Sequence, residues 1–223
     1  MIQLFGGVPT AAAPDTFDAV TNATYTNEAF SSKTISHTTS GSDRYLLVYT
    51  AALDNGSPEA VAGITYNGVA LSFLATSGIG DELWGLVAPA SGANNLVISF
   101  SGGTSKSLAL SILSFTGVHQ SSPIGTPDGR FAADTSPTSV LSGTVSGGVV
   151  VGGCFVYQNG AAAPTISLNS GTQRSSLTIP DSSDGDFALS TGTKSSPSSS
   201  INWTLSETPP DVWGTCAVEL KPV

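Results

Sequence analysis

The stretch "DELWGLVAPASGANNLVISF", residues 81–100, constrains the fold more than any other part of the chain. Two apolar runs flank a turn of Pro, Ser, Gly and Asn. Leu96, Ile98 and Phe100 point one way and Val97 and Ser99 the other. That is the period of a strand with one face on a core, and the whole stretch reads as a β-hairpin. The same grammar recurs along the chain. Strands are expected at 33–39, 45–52, 63–66, 69–74, 82–87, 96–100 and 108–115. After "TGVHQSSPIGTPDGR" a second set follows at 138–145, 149–157, 165–168, 176–179, 187–190, 201–205 and 214–220. Gly, Pro, Asn, Asp and Ser separate them, as tight turns require. Asn67-Gly68 supplies the two positive-φ positions of a type I′ turn between Tyr66 and Val69. No stretch supports an amphipathic helix longer than a turn or two.

The two sets correspond. An offset of 105 residues carries Ile98 onto Trp203, Leu96 onto Ile201, Phe100 onto Leu205, Trp84 onto Leu189, Ile35 onto Val140, Leu113 onto Val218 and Phe115 onto Leu220. Core-type residues fall on core-type residues, with a break in register near residues 64–75, which reads as an internal duplication. The expected fold is therefore all-β: an antiparallel, jelly-roll-like β-sandwich with internal pseudo-duplication. The expected organisation is an N-terminal arm, residues 1–16, followed by a sandwich, 17–223, of two pseudo-repeats, about 17–120 and 121–223. In the favoured form both halves contribute strands to the same two sheets, because "STGTKSSPSSS" promises little independent core. The alternative is two immunoglobulin-like sandwiches of about 105 residues each.

Composition then narrows the setting. Only 10% of residues are charged, and Ser and Thr make up about a quarter of the 223. Solubility must come from hydroxyls, in the style of extracellular or virion surfaces. A net charge of −9 with seven scattered Lys and Arg argues against nucleic acid as a partner. No apolar run approaches the ~18 residues of a membrane span. "MIQLFGGVPTAAAPDTF" lacks the basic start and long apolar core of a signal peptide, so synthesis in a host cytoplasm is expected.

The segments "ITYNGVAL", "ELWGLVAPASGANNLVISFSG", "SFTGVHQSSPIGT" and the closing "VEL" carry a resemblance. They are similar to a diffuse set of phage and environmental bacterial proteins with the pattern V-T-Y-N-G-V-x-L, then L-x-P-x-x-G, then G-V-x-Q-x-x-P. Their functions are mostly unassigned, and the shared positions are turns and core. The resemblance implies β-sandwich modules of virion or cell-surface proteins, and carries over no active site.

Few residues suggest chemistry. His37 lies on a polar strand and is expected at the surface. His119 stands in the loop "GVHQSSP" beside Ser121 and Ser122, without the G-x-S-x-G elbow of a hydrolase. Asp181, Asp184 and Asp186 in "DSSDGD" are weak candidates for a metal, but their spacing is not that of an EF-hand loop and a solvated turn is expected. Cys154 and Cys216 each sit inside an expected strand and read as free thiols serving as small hydrophobes, with a disulfide left open. No enzyme and no cofactor are expected. The expected role is that of a virion structural protein, a capsid decoration or cement protein. Its partners would be a major capsid protein or copies of itself, and its place the virion. Ile2, Leu4 and Phe5 in the arm are the candidate partner-binding residues, able to add a strand to a neighbour's sheet. The alternative is a carbohydrate-binding or adhesive module of a tail or cell surface, with glycan stacked on exposed rings such as Trp84 and Trp213.

Overall fold

Alternation and turn residues cut the chain into short extended segments. The computed structural model describes residues 16–159, 162–180, 185–206 and 212–223, and its regular elements there are all strands. The first half holds β1 (Phe17–Ala29), β2 (Ser32–Thr39), β3 (Tyr45–Asp54), β4 (Ser57–Pro58), β5 (Val61–Tyr66), β6 (Val69–Ala70), β7 (Ser72–Thr76), β8 (Asp81–Val87), β9 (Gly92–Phe100) and β10 (Ser105–Phe115). The second holds β11 (Asp128–Ala132), β12 (Thr138–Val140), β13 (Val149–Gln158), β14 (Ile166–Leu168), β15 (Thr172–Ile179), β16 (Asp186–Ser195), β17 (Ser200–Leu205) and β18 (Val212–Leu220). Asn67 and Gly68 have φ of 49° and 76°, as the type I′ turn between β5 and β6 demands.

Pairing in the first half is nested. The first strand, β1, pairs with the last, β10; β2 pairs with β9, β3 with β8, and β5 with β6. That is a long antiparallel hairpin folded over itself, the wrapping of a jelly roll. It yields a larger sheet, β1-β10-β3-β8-β7 with β4 on β3, and a smaller one, β2-β9-β5-β6. The second half repeats the order: β11-β18-β13-β16-β15 and β12-β17-β14. The all-β antiparallel sandwich, jelly-roll-like and duplicated, is thus the observed fold. It is built as one sandwich per half, and no described sheet mixes strands from both, which corrects the favoured form with shared sheets.

Burial explains that form. Strands β3 and β10 are buried along nearly their whole length, so both of their faces need cover. One face, with Leu46, Val48, Leu110 and Ile112, packs on the first half's smaller sheet through Ile64, Tyr66, Leu96 and Ile98. The other face, with Leu47, Tyr49 and Leu113, packs on Phe155, Leu189 and Val218 of the second half's larger sheet. That sheet's far side, with Val150, Cys154 and Val156, meets Ile166, Ile201 and Trp203. Four β-layers result, with the central core shared by both halves.

The joint is fitted by glycine. A Cβ on Gly153 would lie 2.2 Å from the ring of Tyr49, one on Gly129 would lie 2.2 Å from the Thr76 carbonyl oxygen, and one on Gly214 would lie 2.3 Å from the Ser77 hydroxyl. Into the space so left, the Tyr49 hydroxyl donates to Asp81 at 2.7 Å and the Cys216 thiol lies 3.4 Å from the same carboxylate. A hydroxyl chain, Ser111 to Ser175 at 2.7 Å and Ser175 to Thr191 at 2.6 Å, links the halves elsewhere in this layer. The chain's end also closes on the connector, with Lys221 N–H donating to Pro123 and Val223 N–H to Gly117.

The ladders refine the duplication. Leu113 pairs with Leu47, and Val218 with Val151, so the 105 offset holds for β10 and β18 and becomes 104 for β3 and β13. Trp203 and Ile98 are both buried, at 1% and 0% exposure, in the equivalent strands β17 and β9. Two of the aligned pairs are corrected. Ile35 faces Leu96, but Ile201 faces Ser139, so Ser139 takes the core position and Val140 is 43% exposed. Trp84 faces Val48 and corresponds to Gly192, the partner of Gly152, rather than to Leu189. The hairpin halves also share a bulge, at Phe73/Ala75 in β7 and at Gln173/Ser175 in β15. Strands β1 and β11 were not expected from the sequence; both are polar edge strands.

Candidate interaction surfaces

The arm residues Ile2, Leu4 and Phe5 and the acids Asp181 and Asp184 lie outside the described residues. Asp186 opens β16 opposite Gln158 in the ladder. Among the described residues no group of three His, Cys, Asp or Glu side chains is gathered to hold a metal.

The groups able to do chemistry are largely interior and engaged. Asp81, wholly buried, accepts from Tyr49 and Ser77, and burial pushes its carboxyl above the usual range. The same burial raises the Tyr49 phenol and both thiols, which keeps them protonated and unreactive as nucleophiles. Cys154 and Cys216 are free and face different cores, Cys154 the outer core of the second half and Cys216 the central one. Lys106 is fully buried, its ammonium 3.4 Å from Glu59 and 4.9 Å from the centre of the Phe100 ring. Glu219 accepts from the Val145 N–H at 2.7 Å and from the Ser196 hydroxyl. These are clamps on loops and layers.

His37 corrects an expectation: it is 1% exposed, not at the surface. Strand β1, which the sequence did not reveal, covers it, and its Nδ1 lies 2.9 Å from the Thr21 hydroxyl. Burial lowers its pKa below 6.5, an effect that the nearby Asp18 carboxylate opposes. His119 is exposed, and its Nδ1 accepts from the Ser121 and Ser122 N–H groups at 3.2 and 3.1 Å, which folds the loop on itself.

Two surface features built on exposed aromatic rings stand out among the described residues. On the first half, Phe73 is 50% exposed and stands edge-on to the half-buried Trp84, with ring centres 5.4 Å apart. Trp84 is fixed by its indole N–H, which donates to Glu82 at 2.8 Å. The interplanar angle of 79° makes this an apolar step rather than a flat stacking platform. On the second half, a shallow groove of about 550 Å³ runs along the edge strand β11, where Phe131 is 62% exposed. Trp213 lines it but is only 5% exposed, because β18 turns the ring into the outer core beside Trp203. The expectation of Trp213 as an open ring is corrected accordingly. Phe131 carried no alternation signal in a segment read as connector, and so escaped the sequence reading.

No family model matches the chain, and no curated protein does. Among solved structures it is similar to a xanthan lyase from Paenibacillus, at 16% identity and a TM-score of 0.31, over 93% of this chain and 26% of the other. It thus spans about a quarter of that enzyme's length. It is also similar to a chain of Cucumber Necrosis Virus, at 14% identity and a TM-score of 0.27, over 99% and 98% of the two chains. A chain of infectious bursal disease virus, Gx strain, matches at 14% identity and a TM-score of 0.23, over 100% and 46%. Scores this low carry no inference about function.

Proposed function

We propose that this chain is a phage virion structural protein, a capsid decoration protein that works through protein–protein contacts rather than catalysis. The observation that supports this most directly is where its reactive groups lie. Asp81, Lys106 and Glu219 are buried and bonded into layers and loops, and both cysteines are buried as free thiols. The surface is poor in charge and rich in hydroxyls, with an apolar step at Phe73 and Trp84. A stiff four-layer block with such a surface suits a subunit that binds by burying area against neighbours. On this reading the arm, through Ile2, Leu4 and Phe5, joins the block to a capsid protein or to another copy, and the protein resides on the virion. Purified particles tested by mass spectrometry and antibody labelling should contain the chain in fixed ratio to the capsid protein. Deleting residues 1–12 should leave the melting temperature unchanged and abolish incorporation. Absence from the particle would overturn the reading; normal incorporation of the truncated chain would remove the arm from it.

A further inference from the structure

The groove along β11 has a composition that the contact role does not call for. It lies where the halves meet, with Ser77 from the first and Arg130, Phe131, Asp134, Thr138 and Trp213 from the second. Phe131 is more exposed than any other aromatic ring among the described residues. Its neighbours in the groove are mostly hydroxyls, a guanidinium and a carboxylate, with Ala132 and the edge of the buried Trp213 as the apolar lining beside it, too little to enclose a peptide's hydrophobic anchor.

The polar groups around the ring are held in place. Asp134 Oδ1 accepts from the Trp213 indole N–H at 3.1 Å and from the Ser136 N–H at 2.8 Å. Asp128 accepts from Arg130 Nε at 2.7 Å and from the Val140 N–H at 2.9 Å, so the arginine's stem is aimed while its side chain stays 46% exposed. A flat apolar face flanked by fixed donors and acceptors matches a pyranose ring, which offers C–H groups on its face and hydroxyls on its rim. Asp128 and Asp134 outnumber Arg130, and the chain carries a net charge of −9, so an anionic sugar would be repelled.

We propose that this groove binds a neutral saccharide, with Phe131 as the stacking ring and Asp134 and Arg130 as the groups that orient the hydroxyls. The inference does not depend on the virion reading, since a module of any setting could carry such a site. The test is retention of the labelled full-length chain on a printed array of neutral and anionic glycans, followed by calorimetric titration with the best neutral oligosaccharide. Phe131→Ala should weaken binding by at least about tenfold while leaving the melting temperature unchanged, because the ring is solvent-facing. Phe73→Ala, on the far half, should bind as the parent does. Failure of the parent chain to bind any neutral glycan would overturn the proposal, as would preference for anionic glycans or equal binding by Phe131→Ala.

Discussion

Gly153 shows how one missing side chain decides contacts between halves. It lies in β13 with ordinary strand geometry, so what it provides is room, and the room is filled by Tyr49. Gly153→Ala should destabilise the protein by about 1–3 kcal/mol, the usual cost of overpacking a filled core; denaturant midpoints measure this directly. His37 makes a second residue-scale prediction. Its folded pKa lies below 6.5, chiefly through burial. A base with a depressed folded pKa adds stability that is complete above its unfolded pKa and is lost as pH falls through the folded one. The melting temperature should therefore drop as pH is lowered from about 7.5 to about 5.5, and His37→Gln should flatten that part of the profile. An unchanged slope in the variant would assign the drop to other groups.

At the scale of elements, the repeated strand order lets equivalent strands be compared. Strand β17 places Trp203 between Ile201 and Leu205, buried in the second half's outer core. Trp203→Ala should cost about 3–5 kcal/mol, as large-to-small core substitutions do. Trp84 in β8 is only half-buried, so Trp84→Ala should cost clearly less. Equal losses would mean that the outer core of the second half collapses around the cavity more readily than its packing suggests. Edge strands behave differently. Strand β1 runs for 13 residues with its last four exposed, and it is held mainly by its ladder to β10. The matching edge, β11, has only five residues and is held by its ladder to β18 and by the Val140 N–H of β12, which donates to Asp128.

The whole molecule is two jelly rolls that share their largest core. Tyr49, Leu113, Phe155 and Val218 belong to one cluster, so neither half can unfold without exposing the other's apolar face. Calorimetry should show one cooperative transition with equal calorimetric and van't Hoff enthalpies. Trp203→Ala should move that single transition as a whole. Two transitions, with only the later half of the chain affected, would mean that the joint contributes little.

The sequence by itself determined the fold class, most strands, the Asn67-Gly68 turn and the duplication. Each rests on local rules: side-chain alternation, turn residues that allow positive φ, and core residues recurring at a fixed offset. It was also enough to predict that Trp203 and Ile98 would be buried equivalents. Strands β1 and β11 escaped it, because an edge strand needs only one neighbour and little apolar alternation. The burial of His37 escaped with β1, which covers it. The sequence also placed Val140 where Ser139 lies, since a one-residue change of register swaps the faces of a strand. Tertiary structure alone decided that the halves keep separate sheets and stack face to face. Hydrophobic patterning specifies that a face must be covered, and the fit of Tyr49 over Gly153, with its hydroxyl on Asp81, specifies by which surface.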